Sequence, residues 1–134
     1  MLKKINPASV HETAGYSHVT ITEAGRLAHL AGQCPLDLSG RMVGADGDYA
    51  AQTAQVIANS LAVLSAAGAT PADVVRSVIY VVSPDSGVLS AVWQQLNESD
   101  LAPAFTTAST LVGVAALGYT GQLVEVDLTA ALRD

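Results

Sequence analysis

Two carboxylates near the end of the chain are the residues best suited to chemistry. Glu125 and Asp127 lie in the run LVEVDL, which follows the turn residues GYTG at 118–121. Side chains alternate between the faces of a strand, so the two acids point the same way, roughly 7 Å apart. Acids on a strand of Leu and Val are unfavourable unless they meet water, a partner or a ligand. We predict Glu125 to be a general acid–base and Asp127 a solvated neighbour. The alternative for Glu125 is a carboxylate exposed at a sheet rim or bonded to backbone amides.

Other nucleophilic or metal-binding residues are few. Cys34 is the single cysteine, and nothing near it in sequence identifies an activating base. It could be a nucleophile, but a free cysteine usually behaves as a small buried hydrophobe. His11, His18 and His29 are too irregularly spaced for a metal site, and no cysteine pair supports one. We predict no metal and no cofactor, with His18 as a candidate for lining a ligand site and His29 as structural.

Length and composition favour one domain, residues 1–134, that associates with other copies of itself. Half of the residues are apolar but only 13% are charged, whereas a soluble chain usually carries about a quarter. Such low charge predicts that part of the surface is subunit contact. The net charge of −6 argues against a nucleic-acid partner, because phosphate binding needs clustered Lys and Arg.

The sequence favours a cytoplasmic protein with no membrane partner. The opening MLKK is not followed by the apolar core of a signal peptide. No run approaches the roughly 18 apolar residues of a membrane span. The lone Cys34 excludes an internal disulfide and fits a reducing compartment.

Hydrophobic periodicity predicts five strands and two helices. In chain order these are strands Val19–Glu23 and Arg26–Ala31 joined by the turn Ala24-Gly25, a loop at 35–48, a helix over Tyr49–Ala67, a strand over Val74–Val82, a helix from Asp85 or Ser86 to near Leu96, and strands Thr106–Ala116 and Gln122–Ala131. The first helix should bury a stripe of Ala54, Ile57, Leu61 and Leu64, and end at Gly68. In the second helix the inner side should hold Leu89, Val92, Trp93 and Leu96.

The strand at 74–82 is apolar on both faces, with alternating sets such as Ile79 and Val81 against Val78 and Tyr80. Two helices that cross back between strands cover one sheet face only. We therefore expect another copy of the chain to bury the second face.

The order and spacing of several segments resemble the Rid family (reactive intermediate deaminases, also called YjgF-type proteins). They are GYSH at 15–18, AGQ at 31–33 with PLD at 35–37, the helix at 51–70, VGVAAL at 112–117 and LVEVDLTA at 123–130. The resemblance runs over essentially the whole chain. It implies a chorismate-mutase-like α+β fold, with two helices on one face of a mixed sheet. It further implies a homotrimer whose sheets form an inner barrel, and small-molecule clefts between subunits.

The resemblance also implies an activity and its residues. Family members hydrolyse imines and enamines, such as 2-aminoacrylate, to keto acids and ammonia. Glu125 matches the cleft glutamate that positions or activates the hydrolytic water. Tyr16 matches a ring near the cleft mouth, and Gly32 a glycine whose backbone approaches the ligand. Backbone near Leu111 would help Gly32 to orient that ligand.

One substitution departs from the family pattern. The arginine that grips the substrate carboxylate is replaced by Ser109, in the run TASTLV at 107–112. A serine donates one neutral hydrogen bond, whereas a guanidinium offers a planar, charged fork. A family asparagine on the second helix is also absent, at about Ala91. Three residues of this run carry hydroxyls that either line the cleft or have no role beyond the strand: Thr107, Ser109 and Thr110.

We therefore expect hydrolysis of a reactive imine, enamine or related small carbonyl derivative that is not anchored by an α-carboxylate. The alternative is a non-catalytic protein of the same fold that binds a small metabolite. RNA cleavage, an activity sometimes attached to this family, is disfavoured by the acidic charge.

Overall fold

A four-stranded mixed sheet organises the chain. The structure, a computed structural model, describes residues 2–23 and 25–133. Its strands and helices are β1 (Leu2–Ile5), β2 (Val19–Thr22), β3 (Leu27–His29), α1 (Tyr49–Ala66), β4 (Val74–Val82), α2 (Ser86–Asn97), β5 (Ala108–Val114) and β6 (Val124–Ala131). The sheet order is β3-β6-β4-β5, while β1 and β2 form a separate antiparallel pair. Strand β4 runs parallel to β5 and antiparallel to β6.

Both helices pack on one face of this sheet, as expected. α1 contacts β6 and α2, and α2 contacts β5. The strand residues beneath them are fully buried: Ile79, Val81, Val124, Val126 and Leu128. The hydrophobic core therefore lies between the helices and one sheet face, which confirms the α+β class. Within the described ranges, neither helix is long and apolar enough to cross a membrane.

Capping residues fix both starts of the helices and the end of α1, and two of these caps, Gly68 and Asp85, were predicted. The carboxylate of Asp48 accepts a hydrogen bond from the Ala51 N–H at 2.9 Å at the start of α1. Just after α1, Gly68 adopts φ +81°, a left-handed conformation that favours glycine. At the start of α2, Asp85 accepts from the Gly87 N–H at 2.8 Å, which confirms it as the cap.

The buried stripe of α1 differs from the prediction. Ala54 is exposed, and Ile57 and Leu61 are half-buried. The buried residues are Gln52, Thr53, Val56, Ser60 and Leu64. The polar members were missed because a buried side chain can be stabilised by loop backbone that is distant in sequence. Gln52 illustrates this: its amide bonds to the carbonyls of Gly44 and Gly121 and to the Leu123 N–H.

Strand β1 was not predicted, because Lys3 and Lys4 give the start of the chain a polar character. In the structure these lysines are exposed while Leu2 and Ile5 are half-buried, and the strand pairs along β2. Lys4 also donates to the hydroxyl of Thr106 at 2.8 Å. Charged side chains are common on such edge strands.

The strands on either side of Gly25 do not pair with each other. β2 pairs with β1, whereas β3 pairs with β6. Ala24, half of the predicted turn, lies outside the described residues. Strand β5 begins at Ala108 rather than Thr106, because the segment Ala102–Thr106 forms a 3₁₀ turn. The last two strands are not neighbours either, since β4 lies between them.

The sheet face away from the helices, here called the open face, carries the two acids. Tyr80 stands opposite Glu125 and Val78 opposite Asp127, while Val112 of β5 stands opposite Tyr80. All five side chains are half-buried in the single chain. Glu125 and Asp127 therefore share a face, as predicted, and apolar side chains lie beside them.

We predict that Gln52→Ala destabilises the fold by about 3 kcal/mol, because it strands the Leu123 N–H and two loop carbonyls. Urea unfolding followed by circular dichroism measures the change. The control is Gln55→Ala, whose amide donates to Asn59 on the same helix, with an expected loss below about 1 kcal/mol. Equal losses in the two variants would contradict this role of Gln52.

Substitution of Ser60 should change the stability of the fold in the opposite direction. Among the described residues, its hydroxyl is buried without a hydrogen-bond partner. Ser60→Ala removes that group and adds a better helix former, so stability should stay level or rise by up to about 1 kcal/mol. A clear loss of stability in the same urea experiment would show that the hydroxyl has a partner.

Candidate functional site

A cavity lies at the outer edge of β5, between that strand, α2 and the segment before β2. Its volume is about 330 Å³. The lining residues are Ala14, Tyr16, Ser90, Trp93, Ser109 and Leu111. We call it the edge cavity. Three of the predicted binding residues, Tyr16, Ser109 and Leu111, thus surround one space, although their role in binding stays a prediction.

The segment that carries Tyr16 is fixed against the start of β5. The Ser17 N–H donates to the Thr107 carbonyl at 3.0 Å, and the Ser17 hydroxyl donates to the Thr106 carbonyl at 2.7 Å. The Tyr16 ring meets Trp93 edge to face, with 6.4 Å between ring centroids. This geometry is favourable for aromatic pairs and gives the cavity an aromatic wall.

Ser109 belongs to a chain of hydrogen bonds that runs across two strands. The hydroxyl oxygens of Ser77 on β4 and Ser109 on β5 are 2.6 Å apart. Ser109 also donates to the carbonyl oxygen of Thr107 at 3.0 Å. Ser77 is fully buried and Ser109 is half-buried at the cavity wall. The Ser109 hydroxyl is therefore at the cavity wall and is also fixed by hydrogen bonds to Ser77 and Thr107 of the same sheet region.

The edge cavity has an uncharged lining. None of its six lining residues carries a formal charge. Arg76 pairs with Ala108 at the start of β5, close to the cavity. It is adjacent to Ser77 in sequence, and neighbouring residues on a strand point to opposite faces, so the Arg76 side chain lies on the open face. There its guanidinium donates to the Ala108 carbonyl at 3.2 Å and to the Thr110 hydroxyl at 2.9 Å. It does not replace the guanidinium that the family pattern would have at position 109.

A second group of residues surrounds Glu125 on the open face. The Gln122 amide donates to Oε1 of Glu125 at 3.0 Å, and the Cys34 thiol donates to the same oxygen at 3.4 Å. On its other side the carboxylate meets Gly32, where an added Cβ would collide with Oε2. We call Gly32, Cys34, Gln122 and Glu125 the Glu125 cluster. It fixes the carboxylate through one oxygen and leaves the other against bare backbone.

The close approach of the Glu125 carboxylate to the backbone requires a glycine at position 32. The chain beyond β3 continues beside β6, where Gln33 and Val126 exchange backbone hydrogen bonds of 2.7 and 3.2 Å. This pairing brings Gly32 against Glu125, so any side chain at position 32 would displace the carboxylate. The glycine was predicted as a binding residue, and its contact here is with the predicted catalytic one.

Cys34 is a neutral hydrogen-bond donor in this cluster. Burial, followed by the negative charge of Glu125 and the hydrogen bond to it, raises the pKa of the Cys34 thiol to about 11. Nucleophilic cysteines instead need a depressed pKa, because the thiolate is the reactive form. The expectation that Cys34 is not a nucleophile agrees with this environment.

The two groups of residues lie on opposite faces of the sheet. Ser109 pairs with Ser77, and Glu125 pairs with Tyr80, three residues further along β4. Because faces alternate, an odd separation along the strand places the pairs on opposite faces. The structure therefore brings Tyr16, Ser109 and Leu111 together, and Gly32 with Glu125, but does not join the two sets within one chain.

The remaining candidates do not line the edge cavity. His18 contacts the Tyr16 ring at 5.8 Å between centroids, and its ring nitrogen Nε2 lies 2.8 Å from the carbonyl of His11. Thr107 is fully buried, with its hydroxyl 2.6 Å from that of Thr20. Asp127 lies on the open face, two residues from Glu125. His18 contacts the lining residue Tyr16, and the Thr107 carbonyl accepts from the lining residue Ser109.

Two lining residues, and the contacts of Gln122 and Cys34 with Glu125, were missed by sequence reasoning. Ser90 and Trp93 line the cavity one helical turn apart on α2, and Ser90 rather than Ala91 occupies the wall. Helical spacing from Trp93 would have found Ser90. Gln122 lies in the loop before β6, and no local pattern signals its contact with Glu125.

A larger cavity, of about 780 Å³, is lined by residues of β1, the end of β2, the segment before β4 and the end of β6. Its charged residues include Arg133 and Asp73, which pair with each other at 3.0 Å. No set of three or more His, Cys, Asp or Glu side chains within residues 2–23 and 25–133 is arranged to hold a metal ion. We take the edge cavity and the Glu125 cluster as the candidate site, because they contain the predicted residues Tyr16, Ser109, Leu111, Gly32 and Glu125.

We predict that Cys34 reacts with iodoacetamide along a pH profile whose midpoint lies near 11. At pH 8 its rate should be on the order of a hundredfold below that of an exposed cysteine. Glu125→Gln should move the midpoint to lower pH, because it removes the negative charge that opposes the thiolate. Mass spectrometry of the alkylated protein measures both. A midpoint near that of free cysteine, or no change in Glu125→Gln, would contradict the contact.

Comparison with known proteins identifies the family. Residues 7–132 match the family model described as Endoribonuclease L-PSP. YyfB of Yersinia pestis, a conserved Rid-family protein of unknown function, is 38% identical with a TM-score of 0.83 over 98% of each chain. Rv2704 of Mycobacterium tuberculosis, of the YjgF/YER057c/UK114 family, is 27% identical with a TM-score of 0.64, covering 98% of this chain and 100% of that one. RidA from an Antarctic Psychrobacter is 26% identical with a TM-score of 0.63, covering 97% and 99%.

A shorter match involves a curated relative. Protein DfrA of Myxococcus xanthus is 39% identical over 66 residues, which span 49% of this chain and 50% of that protein. The match thus covers about half the length of that relative. The family model and the YyfB structure each extend over nearly the whole chain. The chain belongs to the Rid (YjgF-type) family.

Proposed function

We propose that the chain forms a homotrimer in the cytoplasm and hydrolyses a reactive imine, enamine or related small carbonyl derivative in a cleft between subunits. In this proposal the Glu125 cluster of one copy faces the edge cavity of the next. The substrate is a small molecule that is not anchored through an α-carboxylate. No cofactor enters the reaction.

The observation that supports the proposal most is the fixed carboxylate of Glu125. Two donors, Gln122 and Cys34, bind Oε1, while Oε2 lies on the bare side of Gly32. An acid–base group must be held within hydrogen-bond reach of its proton, and a side chain fixed at one oxygen can offer the other. A carboxylate present only for solubility would not need such support.

The proposed reaction requires Glu125 only to accept and donate protons. A water molecule attacks the carbon of the protonated imine and passes a proton to the carboxylate, which gives a neutral carbinolamine. The carboxyl group then gives this proton to the amine nitrogen. As the C–N bond breaks, the hydroxyl proton returns to the carboxylate, and a carbonyl compound and an amine or ammonia leave. Gly32 and Leu111 would orient the ligand, with Tyr16 at the cleft mouth and Ser109 at the position of the family arginine.

Assembly through the open face is supported by its side chains. Val78, Tyr80 and Val112 lie half-buried around the two acids in the single chain. A second copy would bury these apolar groups, and in this proposal the β5 edge of that copy would bring its edge cavity towards Glu125. Because the two halves of the site occupy opposite faces, no rearrangement of one chain substitutes for this contact.

RNA cleavage, which the description of the matching family model names, is not part of the proposal. The chain has six Lys and Arg residues against twelve Asp and Glu. Of those cations, Arg76 is bonded to its own sheet and Arg133 to Asp73. Binding a phosphate backbone requires a cluster of cations that can release counterions.

We predict that the protein is a poor deaminase of 2-aminoacrylate and 2-iminobutyrate, because the edge cavity offers no charge to a carboxylate. Semicarbazide trapping of the imine formed by a dehydratase measures the rate, beside an arginine-bearing family member. Ser109→Arg should raise the activity, and Ser109→Met, of similar bulk but neutral, should not. Wild-type activity equal to that of the arginine-bearing protein would show that another group binds the carboxylate.

Glu125→Gln should lower the hydrolysis of any active substrate by roughly 10²–10⁴-fold, because it removes the proton-handling group at nearly constant size. N-benzylidene amines are suitable neutral imines, since release of benzaldehyde is followed by absorbance. Asp127→Asn is the matched control on the same strand face and should cost much less. Sedimentation must show that both variants keep the wild-type mass.

Two results of this experiment would redirect the proposal. If wild type and Glu125→Gln bind a ligand equally and neither converts it, the protein is a non-catalytic binder of small metabolites. If Glu125→Gln breaks the assembly, the carboxylate is structural and the acid–base role is wrong.

A further inference from the structure

The hydroxyl proton of Ser109 is already engaged within the protein. Its oxygen lies 3.0 Å from the carbonyl oxygen of Thr107, which can only accept. The hydroxyl of Ser77 lies 2.6 Å away on the other side. Two hydroxyls and one carbonyl in a row can be ordered in only a few ways, so the direction of each hydrogen bond can be worked out.

Only one order satisfies both protons. If Ser77 donates to Ser109 and Ser109 donates to Thr107, each hydroxyl proton has an acceptor. In the reverse order Ser109 would donate to Ser77, whose own proton would then need another acceptor in a fully buried position. A buried donor without a partner is unfavourable. The chain of hydrogen bonds therefore runs from Ser77 through Ser109 to Thr107.

In this order, Ser109 can accept a hydrogen bond from a ligand but cannot donate one. A hydroxyl oxygen has two lone pairs, and Ser77 occupies one of them. The other is available to a ligand that brings a donor. The Tyr16 hydroxyl also has a partner within the protein, since it lies 3.2 Å from a ring nitrogen of His11. A carboxylate placed against Ser109 would meet a lone pair rather than a proton.

The rest of the cavity fits a compact apolar group. Trp93, Tyr16 and Leu111 supply aromatic and aliphatic surface, and the lining is uncharged. A volume of about 330 Å³ is at the small end for ligand sites and suits a single ring with a short substituent.

We infer that the edge cavity selects a ligand with an N–H or O–H donor on a compact ring, accepted by Ser109, and disfavours carboxylates. Neutral amides and amines on an aromatic ring form this class. The inference rests on the proposed function because it assumes that the edge cavity is part of the ligand site. It adds the chemical class of the ligand. It does not depend on Glu125 or on turnover.

Three probes of nearly equal shape separate the contributions: benzamide with an N–H donor, methyl benzoate without a donor, and benzoate with a negative charge. Trp93 is the only tryptophan, so its indole N–H signal reports binding at the cavity wall by NMR titration of the intact assembly. Benzamide should bind more tightly than either of the other two at neutral pH. Ser109→Ala should weaken benzamide by about five- to tenfold and leave methyl benzoate unchanged.

Two further variants complete the test. Ser109→Arg should reverse the preference from benzamide to benzoate, and Ser65→Ala, on the exposed side of α1, should change nothing. Benzoate binding as tightly as benzamide to the wild type, unchanged benzamide affinity in Ser109→Ala, or no benzamide binding up to its solubility would each overturn the inference. These binding ratios are independent of the hydrolysis assay, so failure of the Glu125 mechanism and failure of this ligand class give different results.

Discussion

The register of β4 between its two neighbours is the constraint on which the candidate site depends. It sets Ser77 opposite Ser109 and Tyr80 opposite Glu125. A slip of β4 by one residue would turn Ile79 and Val81 out of the core to the open face and carry Arg76 and Tyr80 under the helices. The same register that packs Ile79 and Val81 into the core therefore divides the functional residues between two faces. Under the proposed function, each chain contributes one half of two different clefts.

The absence of a guanidinium from the edge cavity is also a consequence of this register. Arg76 is adjacent to the start of β5, but its position along β4 directs it to the open face. The cavity side of the same strand carries Ser77, which supplies a buried hydroxyl to Ser109. A charged side chain there would need solvation or a partner that the aromatic wall does not offer. The neutral residues of β4, β5 and α2 thus form a consistent environment.

Much of this arrangement could be predicted from the sequence, because it depends on local pattern. Alternation placed Glu125 and Asp127 on one face, and capping residues marked the end of α1 at Gly68 and the start of α2 at Asp85. What failed depended on contacts between distant segments. Gln52 was missed because its partners lie in two loops, and β1 because its lysines conceal an edge strand.

The candidate site shows the same division. Tyr16, Ser109 and Leu111 could be named from a resemblance, and the structure arranges them around one cavity. The contact of Gln122 and Cys34 with Glu125 could not, since it requires the chain at 32–34 to lie beside β6. Hydrogen-bond direction at Ser109 likewise follows only from knowing that Ser77 is its neighbour across the sheet.

The central claim is that the two halves of the site meet between copies of the chain. Cross-linking tests it most directly, with Glu125→Cys and Ser109→Cys combined in a Cys34→Ala background and treated with a short bismaleimide. We expect covalent dimers and trimers on a denaturing gel with the combined variant, and monomers with either cysteine alone. Monomers throughout, in a protein whose sedimentation shows it folded, would contradict the claim.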